Sequence, residues 1–418
     1  MMRLRQLFAR AAALDVAARA REEARRLARG VRPGARIAVA VGSRGITNLR
    51  VIVAETVAAL KAAGAAPFII PAMGSHGGAT PEGQVALLAE YGVTEATLGV
   101  PFESGMDAEP IGATARGIEV PFSTAARRAD GIVLINRIKP HTDFSGALGS
   151  GLLKMLVIGL GKRAGAAAFH QAAIRFGYEE VLREAARLIL QSQRILGGLA
   201  VVENQFHDTA LLEAVMPAEM ERREEQLFVE SRNLMPRLPF DEVDLLIVDR
   251  LGKNISGAGM DPNVTGRWVH GYSTLLADQV RTRPLVRRLF VRELTPETHG
   301  NAVGIGLADL TTTRLARSID HRITGINSLT ALTPNAAKVP IHFETDREAI
   351  ERALISLGEP DSSRVRVLRI LDTLSLELVE ASEAYVPSLR DRADLKAETA
   401  LAPMAFDDAG NLRPLGEA

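Results

Sequence analysis

Residues 36–74 read RIAVAVGSRGITNLRVIVAETVAALKAAGAAPFIIPAMG. The opening RIAVAVG is apolar and β-rich. NLRVIVAETVAALKAAGA then spaces its apolar residues at helical period and stops at glycine, and APFIIPAMG returns to strand. Strand, helix, strand in that order is a βαβ unit, whose strands lie parallel and whose crossover is right-handed. The pattern continues outward from it. GIVLINR at 131–137 reads as strand, YEEVLREAARLILQSQ at 178–193 as helix and ILGGLAVVEN at 195–204 as strand.

Residues 208–236 carry mixed charge at helical spacing and are expected to be helical. MPRLPF at 235–240 brings two prolines and marks a boundary. Beyond it, VDLLIVDRLG (243–252), AVGIGLADL (302–310) and RVRVLRIL (364–371) are apolar strand-like runs, alternating with helical segments such as DREAIERALISLG (346–358). The expected fold class is therefore α/β, two domains with parallel or mixed sheets flanked by helices. The domains are residues 1–238 and 239–418, the last residues being free to pack back on the first domain, with the active site in an interdomain cleft.

Length supports two cores, since 418 residues exceed one ordinary domain. Lys plus Arg and Asp plus Glu number 50 each, so no global field draws in nucleic acid or an anionic membrane surface. With no cysteine, disulfides, thiolate metal sites and a cysteine nucleophile are excluded. The first 30 residues, MMRLRQLFARAAALDVAARAREEARRLARG, lack a continuous apolar core and carry acidic residues, against a signal or transit peptide. They read as an amphipathic surface helix. No stretch approaches the roughly 20 apolar residues that span a bilayer, so the cytoplasm is the expected location.

Several familiar motifs fail. LVIGLGKR ends like a phosphate loop but has Leu156 and Arg163 where glycine and Ser or Thr are required. GALGSG is not a dinucleotide fingerprint, and neither G-x-S-x-G nor H-E-x-x-H occurs. What remains is three loops at strand ends, where doubly wound sheets bind ligands: VGSRG with Arg44, AMGSHGG with His76 and NRIKPHTDFSG with His141. A single histidine is more often structural than catalytic, but two at equivalent strand ends in glycine-rich loops are candidates for a site. Lys154 lies in the apolar run GLLKMLVIGLG. It either carries its amine out to water along its own stem or is desolvated, which lowers its pKa and makes the amine a nucleophile. Lys162, between Gly161 and Arg163, is expected to be the more solvated of the two. His170, in AAAFHQ, is expected on a helix.

Taken together these segments resemble the lactate racemase family, the isomerases that depend on a nickel-pincer nucleotide. SRG with Arg44, GSHGG with His76, KPH with His141, GSGLLK with Lys154 and AFHQ with His170 stand in that family's order over residues 36–171. The resemblance implies that Lys154 is a covalent tether to a pyridinium-3-thioamide-5-thiocarboxylate mononucleotide with nickel, and that His170 is a nickel ligand. Gly149 and Gly151 would let the backbone approach that cofactor. His76 and His141 would be the acid–base pair, Arg44 would grip the substrate carboxylate, and Lys253 and Asn254, in DRLGKNISGAGMDPNVTGR, would contact substrate. The implied reaction racemises or epimerises a 2-hydroxy acid by proton-coupled hydride transfer. The implied partners are a small 2-hydroxy or sugar acid and the cofactor-synthesis enzymes, with a homo-oligomer left open. The chain departs from the family at Val41, where an aspartate is usual, in a longer interval from His141 to Lys154, and in the polar loop at 249–267, which suggests a substrate larger or more polar than lactate.

Two other readings fit the residues. Lys154 with a depressed pKa would serve a Schiff-base aldolase or decarboxylase acting on a keto acid. Alternatively, the Arg44 and histidine loops would only recognise a ligand in a non-catalytic two-domain anion binder.

Overall fold

Residues MRLRQ alternate buried and half-buried positions and form a strand, β1 (Met2–Gln6), instead of opening the surface helix expected there. The helix begins only at Val16–Leu27, where the Asp15 side chain caps it by accepting the Ala18 N–H. The computed structural model describes residues 1–8, 13–42, 45–142, 146–268 and 283–415. It divides into two compact units, Ala11–Met235 and Met1–Arg10 together with Pro236–Ala418. The division thus falls at 235/236, and the first ten residues belong with the C-terminal part of the chain.

In the unit Ala11–Met235, β2 (Arg36–Val41), the helix Leu49–Ala62 and β3 (Ala66–Pro71) form the βαβ unit that the sequence indicates. A ribbon of β4 (Ala108–Ala113) and β5 (Glu119–Ser123) leads to β6 (Gly131–Arg137), β7 (Ile195–Glu203) and β8 (Thr209–Val215). The sheet order is β3-β2-β6-β7-β8, parallel except for β8, which runs antiparallel to β7. Residues 208–236 are therefore not all helical. Their start is the edge strand β8, and the helix begins at Met220–Leu234. Val39, Val41, Ile52, Val53, Val133, Ile135, Leu199 and Val201 share one buried cluster. Each such side chain contributes about 1.5–3 kcal/mol of burial, which is why β2, β6 and β7 become strands covered on both faces, the helix supplying Ile52 and Val53.

The other unit is built on β9 (Glu242–Leu251), β10 (Leu285–Leu294), β11 (Leu310–Thr312), β12 (Ile341–Phe343), β13 (Val367–Ile370), β14 (Leu378–Ala381) and β15 (Leu395–Ala397). Its order is β12-β11-β10-β9-β13-β14-β1-β15. The first five are parallel and the last three join antiparallel. The run AVGIGLADL is a strand only at its end. It begins with the Ala302 N–H donated to the Thr324 hydroxyl at 3.0 Å instead of to a sheet partner, and continues as a 3-10 turn, Ile305–Leu307. Among the described residues no helix is long and apolar enough to cross a membrane.

Candidate active site

Four parallel strands of the first sheet end at Val41, Pro71, Arg137 and Glu203, the edge at which such sheets bind ligands. Arg137 and Glu203 close neighbouring strands and pair with each other, their side chains 17% and 4% exposed. Arg137 also donates to the Gly45 carbonyl, and Glu203 accepts the Thr47 N–H at 2.8 Å. The loop after β2 is thereby pinned just beyond Arg44. Arg44 itself lies outside the described residues.

The loop after β3 is held from within. Gln84, fully buried, donates to the Gly74 carbonyl at 2.9 Å and to the His76 carbonyl at 3.3 Å, and the His76 N–H donates to the Met73 carbonyl at 3.1 Å. The Gly74 N–H donates to the Gly159 carbonyl at 3.3 Å, tying this loop to the segment after Lys154. The His76 side chain is exposed on this fixed backbone.

The loop after β6 is closed by Lys139 and Ser150, which exchange backbone hydrogen bonds of 2.9 and 2.8 Å. Asn136 then holds the Gly151 carbonyl at 2.7 Å. A single turn, Leu152–Lys154, runs into a π-helical segment, Met155–Gly159, a feature common at functional sites. Lys154 is half-buried, with its Nζ 2.6 Å from His141 Nε2. Which of the two donates follows from their protonation states. The His141 ring lies 5.1 Å from that of Tyr178, Tyr178 stands edge-on to Phe169 at 4.6 Å, and Phe169 meets His170 at 5.9 Å. Aromatic contacts thus run from the His141 loop to His170, which lies, as expected, on a helix, Lys162–Phe176.

Lys162 reverses the sequence expectation. It is the fully buried lysine: its Nζ donates to the Pro71 carbonyl at 2.7 Å, and burial pulls the amine down to about 8. Its φ of 55 puts it in the left-handed region, a strain of order 1 kcal/mol. The two glycines before Lys154 answer to the chain itself. A Cβ at Gly149 would lie 2.4 Å from the Lys139 carbonyl oxygen, and one at Gly151 would lie 2.2 Å from Glu224 Oε1.

In the other unit, Lys253 and Asn254 share the turn after β9. Lys253 Nζ donates to the Gly257 carbonyl at 2.5 Å, and Asn254 Oδ1 accepts the Thr295 hydroxyl at 2.7 Å. Sequence reasoning did not single out Gln84, Asn136, Arg137, Tyr178, Glu203 or Glu224. Asn136, Arg137 and Glu203 had a usable signal, being polar residues at the last positions of apolar strands. Glu224 had none, since the helix MERREEQLFVESRNL reads as a charged surface helix. Among the described residues no group of three or more His, Asp or Glu could hold a metal ion.

Residues 9–180 match the family model of the lactate racemase N-terminal domain. No curated protein matches the chain by sequence. Among solved structures, the fold is similar to that of the lactate racemase apoprotein from Thermoanaerobacterium thermosaccharolyticum. The TM-score is 0.54 at 15% identity, over 89% of this chain and 93% of that one.

Proposed function

We propose, from the match of residues 9–180 to the lactate racemase N-terminal domain, that this chain is a member of that family and an isomerase that racemises or epimerises a 2-hydroxy acid or a sugar acid. The observation that supports this reading most is the 2.6 Å contact between Lys154 and His141, within the matched residues. An amine becomes a nucleophile when a neighbouring base takes its proton, and His141 is that base. The donor set fits a nickel-pincer nucleotide. Lys154 offers the amine for a tether and His170 one imidazole, while a chain without cysteine leaves the soft sulfur donors to the cofactor. When bound, the nucleotide would supply a hydride acceptor beside the substrate.

The chain's own residues do the rest. With its amine held in the tether, Lys154 would no longer occupy His141, which would then be free to face the substrate. His76 and His141 then take and return the hydroxyl proton, one for each antipode, as imidazoles whose ordinary pKa lies near neutrality. Arg44 grips the carboxylate, and Lys253 and Asn254 are proposed to read the remainder of the substrate. Gly149 and Gly151, besides fitting their own neighbours, would lie beside the tether. The protein would work in the cytoplasm with the enzymes that make the cofactor.

The test is intact mass and nickel content of protein co-produced with those enzymes, beside a Lys154→Ala variant. The expected result is a mononucleotide-sized adduct and near-stoichiometric nickel, both lost in the variant. No adduct, combined with borohydride trapping of a keto acid on Lys154, would replace this reading with the Schiff-base one.

A further inference from the structure

Glu224 sits on the helix Met220–Leu234 and is fully buried. Its Oε2 accepts the Leu153 N–H at 2.9 Å, and the Leu152 N–H also donates to the carboxyl group. Oε1 has no hydrogen-bond partner among the described residues. Those two amides belong to the residues just before Lys154 in one turn, while Asn136 grips the carbonyl of Gly151 from the other side. A buried carboxylate oxygen without a protein hydrogen-bond partner is costly, and packing alone would be served by leucine or methionine.

We infer that Glu224 is a positioning residue for Lys154: it fixes the turn that presents the lysine amine to His141, and its buried charge sets how readily that amine gives up its proton. The assignment stands on the two amide contacts, the buried unpartnered oxygen and the Lys154–His141 distance. Burial, opposed by the Leu153 and Leu152 amides and by Arg183, pushes the carboxyl up to about 7, so it changes charge across the neutral range. The charged group that acts on it is Arg183, itself engaged by Glu179, Glu221 and Glu225, and the turn whose amides it holds leads into Lys154, which meets His141. An ionised Glu224 favours the ammonium form of Lys154, and a protonated one releases that hold.

The inference rests on Lys154 as the functional lysine, but its test needs no cofactor. The apoprotein and its Glu224→Gln and Glu224→Leu variants are labelled with trace acetic anhydride from pH 6 to 10. Acetylation of Lys154 is read by peptide mass spectrometry against that of Lys61, an exposed lysine of the same unit. At pH 8–9 the glutamine variant, which keeps an amide acceptor but no charge, should label at Lys154 at least threefold faster than wild type with Lys61 unchanged. Its Lys154 profile should also lack the inflection near pH 7. The leucine variant should label faster still, and if it does not fold the glutamine variant decides. Identical Lys154 profiles in wild type and Glu224→Gln overturn the inference. If labelling responds to Glu224 and no nucleotide adduct ever forms, the cofactor reading fails and the positioning role stands. If the adduct forms and labelling ignores Glu224, only the positioning role falls.

Discussion

Lys154 and Lys162 belong to one run of sequence, GLLKMLVIGLGK, with the same kind of apolar neighbours, yet the fold treats them in opposite ways. Lys154 ends a short turn and keeps part of its surface, its amine on an imidazole. Lys162 follows the π-helical segment, enters the next helix at positive φ and is drawn under the carboxyl end of β3, where one carbonyl is its hydrogen-bond partner. Apolar context alone therefore does not say which lysine is desolvated. Backbone conformation at the two positions decides it.

The comparison breaks most sharply on function. Lys154→Ala should abolish adduct and isomerase activity together, whereas Lys162→Met should retain the adduct. Intact mass distinguishes them, and an adduct lost only in Lys162→Met would exchange the roles of the two lysines. Next in size, His141→Ala should lower the rate by about 10²–10⁴, the usual contribution of a positioned acid or base, in an assay of α-hydrogen exchange in deuterated water.

Two smaller effects sharpen the contrast through stability. Glu224 has a folded pKa of about 7 against an ordinary 4.5, so the fold favours its protonated form. Its contribution is greatest below pH 4.5 and is lost as pH rises to about 7. Glu224→Gln, which does not titrate, should be more stable than wild type at pH 8 by on the order of 3 kcal/mol, with the gap closing toward pH 4.5 in urea titrations. For Lys162 the folded pKa of about 8 lies below the ordinary 10.5. The full penalty of burying an ammonium then applies below pH 8 and is recovered between pH 8 and 10.5. Lys162→Met should be more stable by on the order of 2 kcal/mol at pH 7, after loss of the Pro71 hydrogen bond, and the gain should shrink toward pH 10.5.

The first sheet was legible because its parallel strands are apolar runs long enough to be covered on both faces, with glycine at or near the ends of β2, β3 and β6. The histidine loops were legible as polar, glycine-rich interruptions at the ends of those strands. β1 was missed because the strands it pairs with, at 378–381 and 395–397, lie at the far end of the chain, and local periodicity carries no trace of them. β8 was missed because an edge strand pairs on one side only, and its alternation resembles the charged helix after it. The burial of Lys162 and the role of Glu224 were illegible for the same reason: both depend on which distant backbone atom the side chain meets.

The placement of β1 also orders events during synthesis. This segment leaves the ribosome before every other strand of its sheet, and its hydrogen-bonding partners β14 and β15 follow only after the rest of that sheet has been made. The unit Ala11–Met235 is complete while residues 2–6 still await a ladder, and the second sheet closes only when β14 and β15 reach β1. A cut at 235/236 would free two halves of unequal merit. The later half would lose an interior strand and gain two raw edges on β14 and β15, the kind of exposed ladder on which chains aggregate.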